Sequence, residues 1–269
     1  MTWIKSIVVL AKRCDTRAMT GRTFVVGDIH GDLDALRTLV AKMPTLEPED
    51  TLVFLGDYVD RGPHSAEVVE VVRGIQRNAG FKVVCLRGNH EDAWLRVLER
   101  RWDEFVFPPG NGCLATMRSF TGGPIPEDGA MPQLEEMDAL FKGAFFPDDV
   151  VEWFRSLLHF YEDEHGIYVH AGLIEKGDKF LHPSETETKQ AMLWTRSEAF
   201  FREYRGKRVV VGHTVTECLP PELSSYTPAD PTDLWAGECV IAVDTGAGKD
   251  GFLTAIELPV LRVWESRSV

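Results

Sequence analysis

The chain has 269 residues, 44% of them hydrophobic and 26% charged, which is the balance of an ordinary folded globule long enough to bury a substantial core. Its formal charge of −13 argues against a protein that tracks nucleic-acid phosphates over a broad surface. The five cysteines are scattered with no Cys-x-x-Cys pair, so neither a zinc knuckle nor a disulfide framework is indicated, and a reducing, cytoplasmic setting is expected.

Residues 1–22 read as an N-terminal extension leading into the first strand. Their apolar run, Ile7–Ala11, is too short to cross a membrane, and no small-residue cleavage pattern follows it. A strand is expected at Thr23–Gly27, then a helix on which Leu33, Leu36, Leu39, Val40 and Met43 recur at helical spacing until Pro44 ends it. The same alternation repeats twice. Strand Thr51–Leu55 precedes a helix carrying Val68, Val69, Val71, Val72 and Ile75. Strand Lys82–Leu86 precedes a helix through Trp94, Leu95, Val97 and Leu98. Strand–loop–helix repetition implies a parallel arrangement of these strands.

The rhythm breaks over residues 102–147, rich in Gly, Pro and Phe, and again over 217–238, which carries four prolines. Both are expected to be irregular loops near a functional site. The late strands Val240–Asp244, Phe252–Leu258 and Leu261–Trp264 have no helices between them and suggest antiparallel pairing in a second sheet. The expected fold is one α/β domain spanning 1–269, a layered αββα sandwich of two mixed sheets flanked by helices.

Chemistry gathers where the apolar runs break into glycine-containing loops. Asp28, His30, Asp57, Asn89, His170 and His213 each stand at such a break, which places them on the rim at the C-terminal ends of the strands. Carboxylate, imidazole and amide donors without a thiolate suit hard or borderline divalent metals. Six donors exceed what one substrate-accessible ion needs, so two ions sharing Asp57 are expected, with Asp28 and His30 on one and Asn89, His170 and His213 on the other. For any one position taken alone, a turn-opening Asp or a satisfied core His would serve as well. His90, next to Asn89, is the candidate general acid, and Asp60 the partner that orients it and favours the imidazolium. The alternative for Asp60 is pairing with its neighbour Arg61. Arg61 and Arg87 flank the donors and can grip phosphate with planar forks.

The order Gly-Asp-x-His-Gly, Gly-Asp-x-x-Asp-Arg-Gly, Arg-Gly-Asn-His-Glu, His-Ala-Gly, Gly-His, running from about Phe24 to His213, resembles the calcineurin-like metallophosphoesterases of the phosphoprotein phosphatase type, in particular their bacterial and phage-lambda-like members. The resemblance implies the same roles for His90 and Asp60, and it makes Arg196, in Leu193-Trp-Thr-Arg196, a third candidate phosphate contact. It implies two divalent cations, manganese first with iron or zinc as options, and direct attack on phosphorus by a hydroxide held between them. The expected activity is phosphomonoester hydrolysis, on phosphoserine or phosphothreonine of a protein or on a small phosphoester, with no nucleic-acid or membrane partner. Hydrolysis of diadenosine tetraphosphate is the alternative; Glu91 weighs against it, because such hydrolases usually carry Asp there. A third reading is a catalytically silent phosphate- or nucleotide-binding module, against which the intact His90–Asp60 pair argues.

Overall fold

The computed structural model describes residues 21–127, 129–225 and 232–267. The expected N-terminal extension up to residue 20, and residues 226–231 of the second expected loop, lie outside them. In chain order the elements are β1 (Thr23–Val26), α1 (Leu33–Lys42), β2 (Thr51–Phe54), α2 (Ser65–Asn78), β3 (Lys82–Cys85) and α3 (Asn89–Arg100). Four helices follow: α4 (Asp103–Val106), α5 (Cys113–Thr121), α6 (Leu134–Lys142) and α7 (Asp148–Ser156). Then come β4 (Phe160–Glu162), β5 (Ile167–Val169), the small hairpin β6 (Glu175–Lys176) and β7 (Lys179–Phe180), α8 (Ala191–Trp194), α9 (Glu198–Glu203) and β8 (Val209–Val211). The chain ends with β9 (Trp235–Ala236), β10 (Val240–Ala242), β11 (Thr254–Leu258) and β12 (Arg262–Glu265).

Two five-stranded sheets stack face to face, in the orders β12-β11-β1-β2-β3 and β4-β5-β8-β10-β9. Both are mixed. β1, β2 and β3 run parallel with β11 antiparallel beside β1, and β5, β8 and β10 run parallel with antiparallel edges. The period of two along each strand divides the core into layers. In β1, Phe24 and Val26 pack under the helices while Val25 faces the other sheet; Leu52 and Phe54 divide from Val53 in the same way. Across the gap Tyr168, Val210 and Ile241 meet that inner face, and Val169, Val211 and Ala242 turn outward onto Phe200, Phe201 and Leu219. Each such side chain contributes about 1.5–3 kcal/mol on burial. The αββα sandwich follows. Among the described residues no helix is long and apolar enough to cross a membrane.

Two expectations need correction. The late strands do not make up an antiparallel second sheet. β10 enters the second sheet parallel to β8, whereas β11 and β12 pair antiparallel on the edge of the first. Among the described residues the parallel step from β8 to β10 shows two single 3-10 turns and β9 and no helix, so the usual signal of a parallel crossover is missing there. Residues 102–147 are also less irregular than their composition suggests, since α4, α5 and α6 lie within them. Their phenylalanines make an aromatic cluster with Trp94, in which Phe105, Phe145 and Phe146 stand edge-on to the indole.

Candidate functional site

The strands deliver their C-terminal ends to one rim, and tight turns there aim side chains back at it. Among the described non-glycine residues, positive φ falls at His30, Asp57, Asp60, Arg61 and His213, all of them expected site positions, and elsewhere only at Arg101 and Leu261. Left-handed backbone at bulky residues is costly and collects where geometry matters to function. Two glycines make room for carboxylates. A Cβ on Gly88 would lie 2.0 Å from Asp57 Oδ1, and one on Gly212 would lie 2.0 Å from Asp28 Oδ1.

Asp57 sits at the centre. Its Oδ2 is 3.4 Å from His30 Nε2, 3.5 Å from His170 Nε2 and 4.0 Å from His90 Nε2. Two groups of potential ligand atoms share it, His30–Asp57–His90 and Asp57–His170–His213, each with its atoms within 4.8 Å of one another. Asn89 Oδ1 lies 2.9 Å from His170 Nε2 and 2.7 Å from His213 Nδ1. Asp28 stands outside both close groups. Its Oδ2 accepts from the His213 amide at 2.9 Å, while its Oδ1 is buried without a hydrogen-bond partner.

The ring orientations are set from behind. His30 Nδ1 lies 2.9 Å from the Val59 carbonyl and His170 Nδ1 2.9 Å from the Leu55 carbonyl. A carbonyl accepts only from N–H, so both rings carry the proton on Nδ1 and turn a lone pair on Nε2 toward Asp57. Burial holds His30 well below its ordinary pKa, helped by the Arg61 charge. Burial likewise lowers His170, and it lowers His213 to about 2 with help from His170 and Arg196. His90 goes the other way. Burial opposes its charge, but Asp57 and the hydrogen bond His90 donates to Asp60 outweigh it, so its pKa is raised. The surroundings thus push three histidines toward the neutral form and one toward the charged form.

Asp60 does not pair with Arg61. Its Oδ2 is 2.7 Å from His90 Nδ1, Thr116 Oγ1 donates to its Oδ1 at 2.6 Å, and the Trp94 indole N–H lies 3.0 Å from both oxygens. Trp94 and Thr116 were not legible as site residues. Trp94 reads as core from its helical spacing, and Thr116 comes from the segment expected to be irregular.

The arginines differ. Arg61 presents a buried Nη1 without a partner and acts electrostatically on Asp28, His30 and Asp244. Arg87 donates from Nη2 to the Arg155 carbonyl at 2.8 Å, with Nε buried and unpartnered. Arg196 donates from Nη1 to Thr214 Oγ1 at 3.4 Å, beside His213. Asp244, at the end of β10, accepts from the Gly246 amide at 3.1 Å and leaves Oδ2 buried and unpartnered. Burial, then mutual repulsion with Asp244 and Asp57, raises the pKa of Asp28. Crowded buried carboxylates, neutral imidazole lone pairs and two facing acceptors at His170 Nε2 and Asn89 Oδ1 fit divalent cations among them.

Glu91, the motif residue that separates the expected substrate classes, turns away from the donor cluster toward backbone amides. It is fully buried, and its carboxylate accepts from the amides of Asp57 at 3.0 Å, Tyr58 at 2.8 Å, Val59 at 3.4 Å and Gly88 at 3.0 Å. It clamps the Asp57 turn to the start of α3 and faces backbone, so its identity says little about substrate.

Residues 21–217 match the family of calcineurin-like phosphoesterases. The chain belongs to that family. Its members are metal-dependent phosphoester hydrolases, and this chain is one of them. It is 26% identical to a bis(5'-nucleosyl)-tetraphosphatase PrpE [asymmetrical] of Bacillus thuringiensis over 258 residues, covering 87% of this chain and 89% of that one. A bis(5'-nucleosyl)-tetraphosphatase, symmetrical, of Cronobacter sakazakii is 31% identical over 158 residues, 58% of this chain and 44% of that one. The fold is also that of a protein serine/threonine phosphatase from Saccharomyces cerevisiae, with a TM-score of 0.50 at 16% identity over 94% of this chain and 81% of that one.

Proposed function

We propose that this phosphoesterase hydrolyses dinucleoside polyphosphates, with Asp28, His30, Asp57, Asn89, His170 and His213 holding two divalent cations and His90 protonating the leaving oxygen. The observation that carries the reading is the Asp57-centred cluster of neutral imidazoles with guanidinium groups on both of its sides, Arg61 toward His30 and Arg196 toward His213. A bound cation pair would activate water and polarise the phosphoryl group. The chain's own residues do the rest. Asp28, Asp57, Asn89 and the three histidines would hold the cations in place, His90 carries a proton set by Asp60, and Arg61 and Arg196 draw in the anionic substrate. Water attacks one phosphorus and releases a proton to solvent, a P–O–P bond breaks, and the proton from His90 goes to the departing phosphate oxygen.

The choice of substrate departs from the protein phosphatase expected from the motifs. That expectation rested on the motif resemblance together with Glu91, whose carboxylate contacts backbone amides. The relative named as a tetraphosphatase aligns over most of the chain, whereas the yeast protein phosphatase supports the fold alone. The test is a rate comparison with manganese among diadenosine tetraphosphate, a phosphoserine peptide and an aryl phosphate, with nucleotide products separated by chromatography. A higher kcat/KM for the dinucleotide, giving ATP plus AMP or two ADP, supports the reading. A clear preference for the phosphopeptide would return the assignment to protein phosphatase.

A further inference from the structure

Beside the donor cluster a cleft of about 600 Å³ opens between α9 and the 3-10 turns Thr216–Cys218 and Pro221–Leu223. Its volume falls within the roughly 300–1,000 Å³ usual for small-molecule sites. The inner end is formed by Arg196 and Thr214, hydrogen-bonded to each other at 3.4 Å, and Thr214 directly follows His213. Arg196 also acts electrostatically on the His213 ring, so this end of the cleft lies toward the donor cluster. One wall is apolar, made by Leu219 and Pro221. At the outer edge Arg202 is fixed by Glu222 at 2.8 Å, which leaves the second carboxylate oxygen of Glu222 with acceptor capacity.

We propose that this cleft receives one nucleoside of the substrate, with the phosphate chain passing over Arg196, the base against Leu219 and Pro221, and the ribose hydroxyls donating to Glu222. The proposal rests on the dinucleotide reading above. It extends that reading by placing recognition of the nucleoside on a part of the chain that takes no part in bond breaking. Phosphate, sugar and base would each meet a group of matching chemistry: a guanidinium, a carboxylate and an apolar wall. A phosphopeptide side chain has no equivalent of the ribose and would leave the carboxylate unused.

The experiment narrows the cleft at its mouth. Cys218 is exposed, lines the cleft and lies outside the donor cluster. Cys218→Trp should raise KM for diadenosine tetraphosphate by roughly 10–200-fold, the range for altered pocket contacts, with kcat little changed because those contacts exist equally in ground and transition states. Turnover of an aryl phosphate should stay within about twofold of the parent, which also reports that the variant is folded. If Cys218→Trp does not fold, Pro221→Asp puts a repelling charge on the same wall and should give the same split. AMP should inhibit the parent protein better than inorganic phosphate does, and lose that advantage in either variant. Dinucleotide cleavage with unchanged KM in a folded variant overturns the nucleoside cleft alone. Failure of the parent protein to cleave the dinucleotide overturns the cleft and the substrate reading together.

Discussion

Trp94 points its indole N–H at Asp60, 3.0 Å from each carboxylate oxygen, from a position on α3 one turn beyond His90. Asp60 is therefore held by three side chains at once, and His90 takes its orientation from a carboxylate that cannot swing. Both residues are fully buried, so a hydrogen bond lost here is not replaced by solvent.

Trp94→Phe should keep most of the packing and remove the donor. Losing a hydrogen bond to a buried charged group costs about 1–3 kcal/mol, so thermal stability should fall. If Trp94 positions the dyad, kcat should fall more on substrates with poor leaving groups than on an activated aryl phosphate. An equal loss across leaving groups would reduce Trp94 to a packing residue.

His90→Asn tests the proton donor itself. The expected loss in kcat is roughly 10²–10⁴-fold on a basic leaving group, with a much smaller loss where the leaving oxygen needs no proton. Loss that is independent of leaving-group basicity would exclude acid catalysis by His90.

Asp57→Asn removes the charge common to both groups of potential ligands. The variant should lose most of its bound metal, measured by elemental analysis, and nearly all turnover, while its circular dichroism stays that of the parent. Chelation should lower the melting temperature of the parent, since a ligand at 100 times its Kd stabilises by about 2.7 kcal/mol. It should leave Asp57→Asn unmoved. Two metal ions per chain at undiminished rate in the variant would contradict the shared-ligand assignment.

Glu91→Asp shortens the carboxylate that accepts from the Asp57, Tyr58 and Gly88 amides. Unsatisfied buried amides should cost about 1–3 kcal/mol and lower the melting temperature. The ratio of kcat/KM between dinucleotide and phosphopeptide should stay constant. A tenfold shift of that ratio would make Glu91 a determinant of specificity after all.

Most of the fold was legible where local signals were strong. β1, β2 and β3 with their helices combine apolar runs of strand length with helical periodicity, and both signals are local. The late strands were misassigned because Val240–Ala242 and Thr254–Leu258 are buried along their whole length, and nothing local in such runs says which sheet takes them. All six expected donors reach one rim, because strand ends in an α/β sheet bring sequence-distant positions together. The supports of Asp60 were not legible. Trp94 has the spacing of a core residue, and only its hydrogen bond distinguishes it.

Neither sheet owns the site. Asp28, His30, Asp57 and Asn89 come from the first sheet, and His170, His213 and Asp244 from the second. They are stitched across the gap by the His213 amide to Asp28 Oδ2 at 2.9 Å and by His170 Nδ1 to the Leu55 carbonyl at 2.9 Å. A nascent or partly opened chain carries four of the six expected donors on one layer and two on the other, so the Asp57–His170–His213 group exists only once both sheets are in place. Turnover is therefore a readout of complete assembly, and a population of half-folded chains would be silent toward the cell's phosphoesters rather than weakly destructive.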